Sequence, residues 1–439
     1  MELNYIRTIK DTAQSIHDFI YNNIKLSDQE HATFIAGSLI ALQDSTFRKI
    51  YDVDYQNNPD YFINIMMNAI ENSIRSLNGF DIPDKQNIVI SEFNFIKHNE
   101  QLKNIVFIEN RNWIAVQYLL HILENSIFNI AKKYPQYDIL GIFYDQFTKY
   151  SASDQQSLGI VLTPFHVADF MTTLLDIQPT DIVLDTCCGS SSLLLTAGSK
   201  GAKSLGVEIN SRMMAISIAN MVIKGLPTYL WLGNSFDDTI KEAIKINKPN
   251  KLIINPPYSQ QDKELDFVKN GLDLLEPNGL GVVIMPVSCA NKQDIETKKL
   301  RKDILSEHSL IASFVMPEQL FAPAVGVNTI ICLFKAHTPN HGTTFLGYIK
   351  DDGFELTKSD GRIDKNNKWS SIKEDFLSLY NNKESANKKS TVVTLNNDDE
   401  WSIISYLSVH EDTYKDEFFI PYIQQYLMYQ IQSGGKADV

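Results

Sequence analysis

The chain has 439 residues, of which 44% are hydrophobic and 21% are charged, and its formal net charge is −13. This length and composition exclude global disorder and a fold that depends on disulfides or metals. The four cysteines include the adjacent pair Cys187 and Cys188 but no zinc-like spacing, so no metal site is expected. The acidic balance is unusual for a stand-alone nucleic-acid binder, so any DNA contact is either local or shared with another subunit.

The first residues contain acids before any long apolar run, and no stretch approaches roughly 18 consecutive apolar residues. We therefore expect neither a signal peptide nor a membrane span. The cysteine usage favours a reducing, cytoplasmic location.

The first 150 residues have a mainly helical pattern. Apolar side chains between Tyr5 and Ile20 recur at spacings of three and four, which predicts an amphipathic helix. A second apolar stretch over 113–127 predicts a strongly buried helix. We interpret residues 1–150 as a separate helical domain.

Residues 151–345 have a different pattern, in which short apolar runs alternate with helical segments. The runs that predict strands are 181–185, 204–209, 228–232, 251–255, 281–286, 310–316 and 328–334. This alternation predicts an α/β fold, a Rossmann-like domain with a mostly parallel sheet and helices on both faces. The last two runs leave little room for a crossover helix, which predicts one antiparallel strand in a seven-stranded mixed sheet.

The chain becomes more polar after residue 345. We predict that residues 346–439 form a short α-rich extension that ends in an aromatic helix over 418–429. The start of that helix is open, because Pro421 fits best in a first helical turn.

Two features that follow the first strands favour a nucleoside cofactor. Gly189 and Ser190 lie in a small-residue turn between a strand and a helix, where a ligand can approach the backbone closely. Glu208 ends the next strand, where an acid can accept hydrogen bonds from both ribose hydroxyls. Each feature alone has a structural alternative, a common loop or a solvated acid. The absence of further fingerprint glycines disfavours NAD.

The run Asn255-Pro256-Pro257-Tyr258 after a predicted strand carries the most specific chemistry. The two prolines fix φ and remove two N–H donors, so the turn presents oxygen acceptors rigidly. The Asn255 side-chain oxygen and the Pro256 carbonyl can accept both hydrogens of a planar amine such as adenine N6. This draws the nitrogen towards tetrahedral geometry and localises its lone pair for attack on a methyl donor. Tyr258 can stack on a base flipped out of a duplex.

Thr163 and Pro164 predict a helix start, with Thr163 as the N-cap and Pro164 as the first helical residue. The N-terminus of a helix suits a carboxylate, such as that of a methionine moiety, but an ordinary well-started helix is the alternative. His166 is expected on a helix surface or in a loop.

In these motifs the sequence resembles the gamma-class amino DNA methyltransferases, in particular the modification subunits of type I restriction-modification systems. The resemblance covers about residues 138–364 well and extends more weakly over the N-terminal helices. The matching runs are LGIVLTPFHVADFM, DTCCGSSSLLLTA, GVEIN, GNSF, NPPY, LLEPNGLGVVIMP, FAPAVGVNTIICLFK and DDGFELTKSDGRID.

The resemblance implies site-specific methylation of adenine N6 in DNA, with S-adenosyl-L-methionine as the donor. The residues that it assigns to the cofactor are Thr163, Asp185, Gly189, Ser190, Glu208, Ile209 and Asn234. It assigns the target adenine to Asn255, Pro256, Pro257 and Tyr258, with Phe321 stacking on the opposite face of the base or serving as an ordinary core aromatic. One departure is that Ser191, Ser192 and Leu193 stand where the family usually has a second glycine or a small pair before Phe-Leu. Serine is small enough to preserve close backbone approach, but a positive φ would strain a non-glycine residue.

Three other functions remain open at this point. The same turn occurs in methyltransferases that act on RNA bases or on glutamine side chains of proteins, and a non-catalytic, DNA-binding methyltransferase-like subunit is the third. The resemblance implies partners besides double-stranded DNA: a specificity subunit docked on the C-terminal extension, a second copy of the chain and a separate restriction subunit.

Overall fold

A computed structural model describes residues 2–24, 26–77, 83–134, 136–148, 162–226, 228–258, 263–322, 326–340, 342–357 and 361–407. The contacts divide the chain into two units, Met1–Ile403 and Ile404–Val439. The aromatic helix expected over 418–429 lies outside the described residues.

The N-terminal region is helical with one short hairpin. Its elements are α1 (Glu2–Asn23), α2 (Asp28–Gln43), α3 (Ser45–Ile50), α4 (Pro59–Arg75), α5 (Pro83–Ser91), α6 (Phe95–His98), a 3-10 turn (Glu100–Lys103), β1 (Ile105–Ile108), β2 (Arg111–Ile114), α7 (Ala115–Leu123), a π-helical segment (Glu124–Phe128), α8 (Asn129–Lys133) and α9 (Ile139–Thr148). A capping box starts α2, because Ser27 and Glu30 each accept a hydrogen bond from the other's backbone N–H. The helix predicted near Tyr5 is confirmed as α1.

The buried helix predicted over 113–127 is wrong at its start. Trp113 and Ile114 belong to β2, which pairs antiparallel with β1. Glu109 and Asn110 have φ values of 54° and 58°, which is the geometry of a tight two-residue hairpin turn. The turn therefore delays the helix until Ala115.

The remaining elements build the main sheet and its covering helices. They are α10 (Phe165–Leu174), β3 (Ile182–Asp185), α11 (Ser192–Gly198), β4 (Lys203–Glu208), α12 (Ser211–Lys224), β5 (Thr228–Leu232), α13 (Asp238–Ile246), β6 (Lys251–Ile254), α14 (Glu264–Asp273), β7 (Leu280–Pro286), α15 (Ser288–Asn291), α16 (Ile295–Glu307), β8 (Ser309–Val315), β9 (Thr329–Lys335), β10 (Thr343–Tyr348), β11 (Glu355–Thr357), β12 (Gly361–Ile363), α17 (Trp369–Asn382), β13 (Ser390–Thr394) and a 3-10 turn (Ile403–Tyr406).

The sheet has nine strands in the order β13-β10-β8-β9-β7-β6-β3-β4-β5. All seven predicted strands are present within one residue of their expected bounds, and β9 is antiparallel to both β7 and β8 as expected. The count of seven is wrong, because β10 and β13 extend the sheet beyond β8. The expected border at residue 345 falls within β10, so the residues after it are not simply α-rich.

Parallel pairing places the carboxyl ends of β3, β4, β5 and β6 at one edge of the sheet. The chain passes from β3 to β4 on one side, whereas β6 lies on the other side of β3. Such a reversal of strand order opens a crevice at the carboxyl edge, which is where ligands bind in open α/β sheets.

The N-terminal helices pack on the sheet region through α2 and α12. Residues 31–42 of α2 are all buried, and α2 contacts α4, α9 and α12. Asn210 caps α12 by accepting hydrogen bonds from the N–H groups of Arg212 and Met213, both at 3.0 Å. Helix α12, against which α2 packs, therefore begins three residues after Glu208, the acid predicted to bind the cofactor.

None of the helices within the described parts of the chain combines the length and apolar character needed to cross a membrane.

We expect Phe314→Ala to lower the free energy of unfolding by about 3–5 kcal/mol, because it leaves a cavity in the core. Phe314 is fully buried, and its ring lies 5.2 Å from that of Phe170 and 5.5 Å from that of Phe345. Phe107→Ala is the matched control, since Phe107 is 69% exposed, and it should change stability by less than about 0.5 kcal/mol. Urea denaturation of the three proteins measures both effects, and equal losses in the two variants would contradict the packing described here.

Candidate functional site

A cleft of about 280 Å³ lies at the carboxyl edge of the sheet, where β3, β4, β5 and β6 end. The predicted residues that line it are Gly189, Glu208, Ile209, Asn234, Asn255, Pro256, Pro257 and Tyr258. The structure thus brings the two expected cofactor features and the Asn-Pro-Pro-Tyr turn into one cavity. Residues not predicted from the sequence also line it, namely Thr186, Cys187, Asn210, Met213, Gly233, Ser235 and Phe267.

The turn after β3 has two residues with left-handed backbone conformation. Gly189 has a φ of 53°, and a Cβ placed on it would meet nothing within 4 Å, so its backbone faces open space in the cleft. Ser191 has a φ of 69°, the strained case anticipated for a serine here, at a cost of about 1–2 kcal/mol. A 2.5 Å hydrogen bond between the hydroxyls of Ser191 and Ser217 fixes this residue against α12.

Glu208 joins the turn to the end of β4. One carboxylate oxygen accepts the N–H of Gly189 at 2.9 Å, and the other accepts the N–H of Asn210 at 2.8 Å. Burial raises the pKa of Glu208, while these backbone donors oppose that rise. The carboxylate is therefore held in one orientation at the cleft wall.

Asp185 ends β3 but does not line the cleft. Its carboxylate accepts the N–H of Cys187 at 3.0 Å, so it shapes the loop from behind. Burial raises the pKa of Asp185 to about 7.

Ser190 also lies behind the cleft, where it is tied to the N-terminal region. Its hydroxyl donates to the half-buried carboxylate of Asp138, and its carbonyl accepts from the Asn220 amide at 2.9 Å. The same Asn220 nitrogen lies 2.8 Å from Asp138, which also accepts the N–H of Gly141 at 2.6 Å. Asp138 and Asn220 were not predicted from the sequence, because they lie 52 and 30 residues from Ser190 along the chain.

Asn255 at the end of β6 is held by Thr163. The side-chain amide nitrogen of Asn255 donates to the Thr163 hydroxyl oxygen at 3.0 Å, which directs the amide oxygen away from Thr163. Thr163 is buried and does not line the cleft. The expected N-cap role of Thr163 is wrong: Pro164 is the cap, with φ −58° and ψ 141°, and α10 begins at Phe165. Thr163 instead positions the side chain predicted to bind the target amine.

Tyr258 and Phe321 meet at the far end of the turn. Their ring centroids are 6.1 Å apart with the planes at 83°. Phe321 is only 5% exposed and packs behind Tyr258 rather than lining the cleft. Burial raises the pKa of the Tyr258 hydroxyl well above its ordinary value, so the side chain stays neutral.

His166 is buried, which contradicts the surface or loop position expected for it. It lies in α10, where Nε2 is 3.1 Å from the carboxylate of Asp352 and the ring of Phe354 stacks at 3.9 Å. No local pattern marks this contact, since the two partners are 186 residues apart in sequence.

Outside the cleft, Asp273, Glu307 and His308 form an acidic cluster whose possible ligand atoms lie within 4.8 Å of one another. The Lys269 ammonium lies 2.9 Å from Asp273 and 3.1 Å from Glu307. The Lys269 ammonium therefore already balances the charge of Asp273 and Glu307.

All four cysteines are free thiols.

A family model described as N-6 DNA Methylase matches residues 135–413. The type II restriction enzyme and methyltransferase RM.BcgI of Heyndrickxia coagulans is 26% identical, over 98% of this chain and 71% of that protein. The type I restriction enzyme MjaVIII methylase subunit of Methanocaldococcus jannaschii is 25% identical, over 69% of this chain and 56% of that subunit.

Among solved structures, the type I restriction-modification system methyltransferase subunit from Streptococcus thermophilus superposes with a TM-score of 0.62. The superposition covers 89% of this chain and 96% of that subunit at 15% identity. Likeness at this identity concerns the fold, and it confirms the expected methyltransferase-like α/β architecture.

We expect Asp185→Asn to flatten the pH dependence of stability between about pH 4 and pH 7. The pKa of Asp185 in the folded chain, about 7, lies above the ordinary carboxyl value, so the native state holds a proton that the unfolded chain has released. The contribution of this proton to the free energy of unfolding is fully present below about pH 4 and is lost as the pH rises through 7. The free energy of unfolding of the wild type, relative to that of the variant, should therefore fall over this range.

Urea unfolding at several pH values measures this difference. Asp398→Asn is the control, since its carboxylate is 71% exposed. A difference between wild type and Asp185→Asn that stays constant with pH would contradict the assignment.

Proposed function

Because this chain belongs to the N-6 DNA methylase family, we propose that it transfers a methyl group from S-adenosylmethionine to the N6 amine of a flipped adenine in DNA. The observation that carries the proposal is the position of the Asn255–Tyr258 turn in the same cleft as Glu208 and the open backbone of Gly189. The relatives named as methylases of restriction systems support a role as a modification subunit.

The described residues fit the cofactor. Gly189 leaves room for close backbone approach, and the Glu208 carboxylate is oriented to accept hydrogen bonds from ribose hydroxyls. Ile209, which is 71% exposed at the cleft rim, and Asn234 supply apolar and polar surface for the adenine moiety. When bound, S-adenosylmethionine supplies an electrophilic methyl group.

Asn255 and Pro256 supply the acceptors for the target amine. Thr163 holds the Asn255 amide nitrogen. We assign one N6 hydrogen to the Asn255 amide oxygen and the other to the Pro256 carbonyl. These two bonds localise the nitrogen lone pair. Because the amine proton becomes acidic once the new N–C bond forms, no strong general base is required.

Tyr258 gives the flipped base a stacking surface, and Phe321 supports Tyr258 from behind at right angles. The alternative in which Phe321 itself stacks on the base is disfavoured by its 5% exposure. Asp185 and Ser190 act by shaping the cofactor turn rather than by touching the cofactor, since neither lines the cleft.

The family match favours DNA over planar amines in RNA or in protein glutamine as the substrate. The complete Asn255–Tyr258 turn in an open cleft argues against a non-catalytic subunit. We further propose the expected partners: a specificity subunit that grips DNA, a second copy of the chain and a restriction subunit. Residues 1–150 then clamp DNA or contact partners, and the C-terminal extension, residues 346–439, docks to the specificity subunit.

We expect Asn255→Ala to lower methyl transfer by at least about 100-fold, because one acceptor for the amine is lost. Transfer of radiolabel from S-adenosylmethionine to DNA, with N6-methyladenine identified by mass spectrometry, measures the effect. Cofactor affinity measured by calorimetry should stay within about twofold, whereas Glu208→Ala should weaken it by about tenfold or more. Full activity of Asn255→Ala would refute the proposed role of the turn.

We also expect the isolated chain to bind duplex DNA weakly, because its net charge of −13 repels the phosphates. Addition of a specificity subunit should produce tight, site-selective binding. Fluorescence anisotropy with labelled duplexes at two salt concentrations measures both states. Tight sequence-specific binding by the chain alone would show that a separate specificity subunit is not needed.

A further inference from the structure

A buried ion cluster links the C-terminal part of the first unit to α10. The carboxylate of Asp352 receives both arms of the Arg362 guanidinium at 2.6 and 2.9 Å, and Nε2 of His166 lies 3.1 Å from it. The side chains are 0%, 9% and 8% exposed respectively. Within the described residues, this cluster joins segments that are far apart in sequence, since His166 and Asp352 are 186 residues apart.

One end of the cluster leads to the acceptor side of the target site. His166 lies in the first turn of α10, three residues after Thr163, and Thr163 holds the amide of Asn255 at 3.0 Å. A shift of His166 would therefore be passed along this short segment to the Asn255 side chain.

The other end leads to the aromatic side of the target site. Nη1 of Arg362 donates to the carbonyl of Leu320 at 3.3 Å. The next residue, Phe321, supports the ring of Tyr258 with a centroid distance of 6.1 Å. The Arg362 guanidinium thus connects the Asp352 carboxylate to the backbone of Leu320, which precedes the ring that supports Tyr258.

The cluster has little freedom to relax. The Phe354 N–H donates to Asp352 at 3.1 Å, and the Phe354 ring stacks on His166 at a centroid distance of 3.9 Å and an interplanar angle of 18°. Nη2 of Arg362 also donates to the Phe354 carbonyl at 3.2 Å. Each polar group of the cluster is therefore fixed by at least two contacts.

We propose that Asp352 is a positioning residue that holds the Thr163–Asn255 side and the Phe321–Tyr258 side of the target-base site in register. This inference rests on the proposed function and extends it to a residue that touches neither cofactor nor base. Buried ion pairs add little net stability compared with apolar packing, so a geometric role accounts for this cluster better than a stabilising one.

The main test compares Asp352→Asn and Arg362→Lys with Asp169→Asn. Asp169 also ties α10 to the C-terminal part of the unit, through Lys373 at 2.6 Å. Among the described residues, its side chain makes no hydrogen bond to Thr163 or Leu320, so its substitution controls for a general loss of tertiary contact. With the complete complex, we expect kcat for DNA methylation to fall at least tenfold in the first two variants and less than twofold in Asp169→Asn. Cofactor affinity should stay within twofold in all three.

His166→Gln tests the geometry further, since a glutamine amide can still donate to Asp352. It should retain at least half of the wild-type kcat, whereas His166→Ala should lose activity as Asp352→Asn does. A kcat within twofold of wild type for Asp352→Asn or Arg362→Lys would overturn the proposal. A parallel loss of cofactor affinity would also overturn it, because it would indicate general misfolding of the site.

Hydrogen exchange gives a readout that does not depend on catalysis. Amides of residues 163–168 and 320–322 should both exchange at least tenfold faster in Arg362→Lys, and neither segment should do so in Asp169→Asn. Unchanged exchange at either segment would refute the coupling. If the wild-type complex fails to methylate adenine, the proposed function falls, while the exchange data still decide whether the cluster holds both segments.

Discussion

The chemistry of this protein depends on the way the chain leaves the sheet after β6. Pro256 and Pro257 cannot donate to a neighbouring strand, so pairing stops at Ile254 and the turn projects from the carboxyl edge. The hydrogen bond from Asn255 to Thr163 then fixes the direction of the amide. That contact contributes to orienting the amide whose oxygen is proposed to accept a hydrogen bond from a substrate amine. The fold therefore serves to bring Thr163, 92 residues earlier in the chain, to this position.

The cofactor side of the cleft is organised by buried acids that contact the backbone. Asp185 and Glu208 each accept backbone N–H groups that define the turn around Gly189, and burial raises the pKa of both carboxyls. A bound cation would offset this unfavourable burial of negative charge. The electrostatics of the cleft are thus complementary to a positively charged ligand, which agrees with a sulfonium donor.

Local patterns were sufficient to predict the central seven strands, because each buried run is bounded by small or polar residues. The same patterns indicated which loops line the cleft, since parallel strands share one carboxyl edge. They did not predict β10 and β13. In β10, a Cβ atom at position 347 would lie 2.9 Å from the Phe314 ring, so a glycine stands there. The strand therefore lacks a full apolar pattern. The contacts of Ser190 with Asp138 and of His166 with Asp352 depend on residues far away in sequence and leave no local signal.

These missed contacts share one physical feature: each places a carboxylate that is fully buried, as in Asp352, or half-buried, as in Asp138, between the sheet region and a flanking region. Burial opposes ionisation of Asp352, yet hydrogen bonds from His166 and Arg362 outweigh it and hold the pKa of Asp352 at about 2. At Asp138, burial dominates and raises the pKa, although Ser190, Gly141 and Asn220 donate to it. Since truncation of one partner in such a cluster leaves a buried charge or donor unsatisfied, both clusters strongly penalise any displacement of the elements they join. If the proposed site residues are right, the flanking regions are parts of the active-site scaffold: one lies behind the turn assigned to the cofactor and the other behind the residues assigned to the target base.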